Sequence, residues 1–285
     1  MLHEGISRRT FMAGAPAAAG MVAGLTSRSG AAPASAPRVI DGMMHLEVSG
    51  RYWEGLIDEV IPHYEKAGID KGVILTTWTP SRKSNDRTLQ AYEKYPDRFI
   101  PFGHVRPQDK DWQSELQRVS EPPWKGLKLH ENELKAKDRD LKESARTVIG
   151  KAADLGIRLV KVHLVDYEII EELTREISEV TWILPHLGCY CKWEQMRRFC
   201  ELARDRKNVY LDTCAVSAYY NFGRAIEWAG VEKITFATDG FQFSPIVEKA
   251  KIETLKLPTP FRTPLLTDEQ MAKILGGNMA RLLEM

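Results

Sequence analysis

An α/β fold, a (β/α)8 TIM barrel, is predicted by three observations in the sequence. Short β-branched or apolar runs recur eight times, and the segments between them carry helical periodicity and surface charge. Strand then helix, repeated, implies parallel strands joined by crossover helices. About 250 residues are available for the eight units, enough to close a barrel. A doubly wound open sheet is the alternative, but no G-x-G-x-x-G or phosphate loop follows the first run.

The runs in order are RVIDGMMHL (38–46), KGVILTT (71–77), RFIPFGHV (98–105) and KGLKLH (125–130). IRLVKVHL (157–164), VTWILPHL (180–187), NVYLDTC (208–214) and KITFATD (233–239) complete the set. Helical spacing is clearest in WEGLIDEVIPHYEKAG, ESARTVIGKAADLG and EQMRRFCELARDRK. Gly68, Gly156 and Gly230 stand at predicted helix C-termini, where a left-handed residue commonly ends the helix.

Residues 1–36 differ from the rest. A basic lead, MLHEGISRRT, is followed by the weakly apolar FMAGAPAAAGMVAGL and the small, polar TSRSGAAPASAP, which is the layout of an export signal. SRRTFMA (7–13) resembles the twin-arginine translocation motif, and Ala32 and Ala34 offer an A-x-A cleavage pattern. The expected organisation is a signal peptide over 1–36 and a barrel domain over 37–285, with the mature protein in the periplasm or outside the cell. The apolar run is short and rich in Gly and Ala for a bilayer span, and no other segment is long and apolar enough. Forty basic against 39 acidic residues leave a net charge of +1, so neither a nucleic-acid nor a membrane-surface partner is expected. A small-molecule substrate is expected instead, and a homodimer is compatible with the sequence. The four cysteines, Cys189, Cys191, Cys200 and Cys214, read as small buried residues.

In a barrel of this kind the active site lies at the C-terminal ends of the strands. Five of the seven histidines fall there: His45, His104, His130, His163 and His186, with Asp239 closing the eighth run. One histidine on an apolar strand is commonly a hydrogen-bonded core residue, but five on one rim are hard to explain by packing. Strand alternation puts Asp41, Met43 and His45 on one face, Lys128 with His130, Lys161 with His163, and Asp212 with Cys214. Lys128 reads either as a receiver of an anionic substrate group or as half of a structural ion pair. Lys161, deeper in its strand, reads as structural. The carboxylates available to the two lysines are Asp41, Asp212 and Asp239.

With these residues placed, the chain resembles the amidohydrolase superfamily, in the branch of amidohydrolase-related hydrolases and decarboxylases. VIDGMMHL, SNDRTLQAYEKYPDRFIPFGHVRP, GLKLH, VKVHL, LPHLG, ATDGF and ILGGNMARLL carry the resemblance in order and spacing. It implies metal ligands at His45, His163 and Asp239, with zinc or manganese as the single divalent ion. It also implies catalytic roles for Asp239 and His186; His130 joins them as a candidate catalytic residue, and Lys128 and His104 are the candidate substrate-binding residues. Met43 stands where the family carries its first ligand, and a thioether is a soft, weak donor. The implied activity is hydrolysis, or decarboxylation, of a small carboxylated or cyclic substrate. A metal-free lactone hydrolase using Asp239 and His186, and a catalytically silent binding barrel, are the alternatives.

Overall fold

The computed structural model describes residues 39–48, 51–52, 56–135, 140–188, 193–257 and 266–285. The leader and its twin-arginine motif, and Cys189 and Cys191, lie outside the described residues.

Eight parallel strands form one sheet in chain order: β1 (Ile40–His45), β2 (Lys71–Leu75), β3 (Phe99–His104), β4 (Gly126–His130), β5 (Leu159–His163), β6 (Thr181–Leu184), β7 (Val209–Asp212) and β8 (Ile234–Thr235). The sheet turns back on itself. Gly42 N–H donates to Phe236 O, Asp239 N–H to Met43 O, and a parallel bridge joins Met44 to Gly240. Each strand is followed by a helix: α1 (Leu56–Ala67), α2 (Ser81–Lys94), α3 (Trp112–Arg118), α4 (Leu141–Asp154), α5 (Tyr167–Glu176), α6 (Trp193–Asp205), α7 (Tyr219–Ala229) and α8 (Pro245–Glu253). No described helix is long and apolar enough to cross a membrane.

Two apolar layers hold the barrel. The larger packs the outer strand faces, such as Leu127, Leu129, Val160 and Val162, against the helices. The smaller fills the interior with Ile40, Met43, Val73, Phe102, Ile183 and Cys214. Strands buried on both faces explain why the eight runs read as nearly continuous apolar segments. Cys200 and Cys214 are buried, as expected for small core residues.

Two details differ from simple alternation. The β1–β2 register shifts between Asp41 and Met44. Ile40 and Met43 therefore both face inwards, whereas Asp41 accepts from the Tyr64 hydroxyl of α1 at 2.6 Å. Asp41 thus does not share its neighbours' inward face: a bulge inserts one residue and reverses the parity. The eighth strand is also shorter than expected, and Asp239 lies four residues beyond its end, in the left-handed region at φ 57°.

Candidate active site

Five non-glycine residues at the strand ends or in the loops just after them have positive φ: Trp78, His186, Leu187, Ala215 and Asp239. Such conformations cost energy and persist only when the surroundings fix them, and they gather at functional sites. After β6 the chain turns through His186 (φ 59°), Leu187 (φ 54°) and Gly188 (φ 96°). A side chain at 188 would run into the Phe199 ring, so glycine is needed there both for its conformation and for its size. The turn aims the His186 main-chain N–H at Asp212 (3.1 Å).

At the centre is an ion pair flanked by a second carboxylate. His45 Nε2 lies 3.2 Å from Asp239 Oδ1, and its Nδ1 lies 3.1 Å from Glu47 Oε1. Burial opposes a charge on this ring, but hydrogen bonds to Asp239 and Glu47 win and raise it to about 9. His45 is therefore an imidazolium at neutral pH. Burial would raise Asp239, yet the His45 hydrogen bond and the charges of His45, His186 and Lys128 hold it well below the usual carboxylate range. Glu47 is itself fixed by Thr77, whose N–H and hydroxyl donate to Oε1 at 2.7 and 2.6 Å.

Lys128 and Lys161 are register partners on β4 and β5, and both are buried. Lys161 is paired with Asp212. Lys128 Nζ instead donates to the thioether sulfur of Met43 at 3.4 Å. Burial, then the charge of Lys161, bring Lys128 down to about 8. An ammonium has three donors, and one weak sulfur acceptor leaves it poorly compensated.

The remaining histidines line the rim as rings in edge contact. His130 and His163 centroids are 4.3 Å apart, those of His163 and His186 4.9 Å. Burial and the nearby Lys128 ammonium push His130 down to about 3, and His163 is lowered by the same causes. Burial lowers His186 as well. All three are neutral at neutral pH. Their partners assign different tautomers. His130 Nδ1 accepts from the Asn132 main-chain N–H at 3.2 Å, which puts its proton on Nε2. His186 Nδ1 lies 3.1 Å from the Cys214 carbonyl, so it carries the proton and the basic nitrogen is Nε2. Cys214 offers no nucleophile, because burial and then Asp212 raise its thiol well above the ordinary range.

His104 is buried with both ring nitrogens engaged, Nδ1 near the Lys128 carbonyl (3.1 Å) and Nε2 near Glu133 Oε1 (3.2 Å). This geometry makes it a support for β4 and Glu133. Glu47, Glu133 and Trp78 escaped sequence reasoning. Glu47, two residues past His45 and just beyond the end of β1, is the most legible of them.

The expected ligands come together only in part. His45 and Asp239 meet, but no three His, Cys, Asp or Glu side chains among the described residues are grouped to hold a metal ion. Met43 in the first-ligand place is bonded to an ammonium, and a divalent ion seated on Asp239 would displace or face that charge. This donor set does not fit a zinc or manganese ion of the usual kind.

The amidohydrolase family model matches residues 62–285, and the chain belongs to that family of enzymes. No curated protein matches it. Among solved structures it is similar to an amidohydrolase from Burkholderia multivorans with bound zinc, at 12% identity and TM-score 0.68, covering 87% of this chain and 99% of that one. The 2,6-dihydroxybenzoate decarboxylase from Rhizobium is similar at 16% identity and TM-score 0.65, with 87% and 99% covered. A 5-carboxyvanillate decarboxylase from Novosphingobium aromaticivorans, complexed with manganese and a nitrobenzoic acid, is similar at 14% identity and TM-score 0.65, with 87% and 96% covered.

Proposed function

We propose that the protein hydrolyses a small cyclic or carboxylated substrate without a divalent ion, using the Lys128 ammonium as its electrophilic centre. The observation that carries this reading is the buried Lys128 with a thioether as its hydrogen-bond partner. A buried cation so poorly compensated gains most from an incoming carboxylate or carbonyl oxygen.

The other groups follow from their protonation states. His186, neutral with Nε2 as its basic position, takes a proton from water as the water oxygen attacks the substrate carbonyl. His130 offers its Nε2–H, together with Lys128, to the oxygen on which negative charge develops, as a neutral imidazole can. When the carbon–oxygen bond breaks, the imidazolium of His186 returns its proton to the leaving oxygen. Asp239 with His45 and Glu47 keeps a fixed charge pattern beside the reacting centre, and its negative charge stabilises the His186 imidazolium while it exists. His163 stands between the two working imidazoles.

Manganese or zinc held by His45, His163 and Asp239 is the rival arrangement, since solved neighbours bind these ions, and decarboxylation is the rival reaction. A panel of lactones and aromatic carboxylates, followed by ring opening and by carbon dioxide release, separates the reactions. On the substrate found, His186→Asn and Asp239→Asn should each lower kcat by about 10²–10⁴. Turnover surviving both substitutions would remove this site from the chemistry. The leader supports export by the twin-arginine route, and a leader with Arg8 and Arg9 changed to Lys should leave the protein in the cytoplasm.

A further inference from the structure

Trp78 follows β2 in the loop at the catalytic end of the barrel, and the residue is 41% exposed. Large exposed aromatics occur elsewhere, but this one touches the site: its ring lies 4.6 Å from that of His130, at 58°. Through His130 it heads a continuous series of rings, Trp78, His130, His163 and His186. Its backbone is left-handed, φ 61°, which is unfavourable for a bulky residue. Two carboxylates hold it there. Glu47 receives the Thr77 N–H, and Glu133 receives the Trp78 N–H at 2.8 Å. Glu133 is buried, and its Oε1 takes both Trp78 and His104 while its Oε2 has no partner among the described residues. The carboxylate is thus committed to setting this loop.

The site consequently has two unlike sides. One is charged, with Lys128, Asp239 and His45. The other is a series of neutral rings in edge contact, each steeply tilted to the next, that ends in an indole fixed by its backbone and open to solvent. The face of the exposed indole discriminates by shape: a flat unsaturated ring stacks against it, while a puckered saturated ring of the same size loses most of the contact.

We propose that Trp78 is a specificity-determining residue, positioned by Glu133, whose indole selects substrates with a planar ring attached to the anionic group that Lys128 receives. This rests on the assignment of Lys128 as the anion receiver, and the test separates the two. Dissociation constants are measured by calorimetry on the full chain for benzoate and cyclohexanecarboxylate, which share a carboxylate and a six-membered ring and differ in planarity. Wild type should bind benzoate about 3- to 10-fold more tightly than the saturated acid, the range expected of an aromatic pair. Trp78→Leu should bring the ratio to about 1 by weakening benzoate alone, and Trp78→Phe should largely retain it. Glu133→Ala should reduce the ratio, whereas Glu133→Gln, which still offers an acceptor to the Trp78 N–H, should rescue it. Lys128→Met should weaken both acids equally and leave the ratio in place. A preference that survives Trp78→Leu, equal binding of both acids by wild type, or no binding of benzoate overturns the assignment to Trp78. Unchanged affinity for both acids in Lys128→Met instead overturns the anion-receiver assignment and leaves the Trp78 ratio as measured.

Discussion

Lys128 and Lys161 lie side by side in register on neighbouring strands, equally buried, yet their surroundings are opposite. Lys161 is neutralised by Asp212, which also accepts from the main-chain N–H groups of His186 and Cys214 and so ties three strand ends together. Lys128 is given a sulfur atom. One lysine is a completed structural contact. The other is a buried charge with only a thioether as its hydrogen-bond acceptor. Burial of a cation alone is therefore a poor guide to function, and the partner decides it.

The two lysines should differ most in what their removal does to stability. Lys161→Met strands Asp212 in the barrel interior and should destabilise the protein by about 3–5 kcal/mol, measured by urea unfolding. Lys128→Met removes an ill-compensated charge and fills the space with apolar atoms, so unfolding should move by less than about 1 kcal/mol or shift towards greater stability. The same substitution should lower kcat/KM by about 10²–10³, the size expected when a transition-state donor is lost. Equal destabilisation by the two variants would show that both lysines are structural.

A smaller effect lies in the pH dependence. Lys128 titrates near 8 in the folded chain and at its ordinary, higher value when unfolded. Below 8 the group is charged in both states and its burial penalty is fully present. Between 8 and the unfolded value the unfolded state binds more protons, so the penalty is released and stability rises with pH. Wild type minus Lys128→Met should isolate that rise, while turnover falls through the same interval as the ammonium is lost. A difference curve flat above pH 8 would contradict the assignment.

The order of the barrel was legible because each of its strands is buried on both faces and reads as an apolar run. The site was legible as a set of histidines because parallel strands deliver their last residues to one rim. What stayed hidden depends on local departures from regularity. The bulge after Asp41 reverses parity, and nothing in DGMMHLE marks it. His186 and Asp239 are aimed by left-handed turns that follow their strands. Glu133 and Trp78 meet across 55 residues, a pairing that no local pattern encodes. The sulfur–ammonium contact between Met43 and Lys128 also joins residues far apart in the sequence.

Lys128, and not a divalent ion, is the proposed working cation of this barrel. Elemental analysis of the purified, active protein tests it most directly, with turnover followed before and after chelation. Less than about a tenth of an equivalent of zinc, manganese or iron is expected, with activity unchanged by chelator. Close to one equivalent of metal, removed by the chelator together with the activity and restored with it, would make a divalent ion the working cation instead.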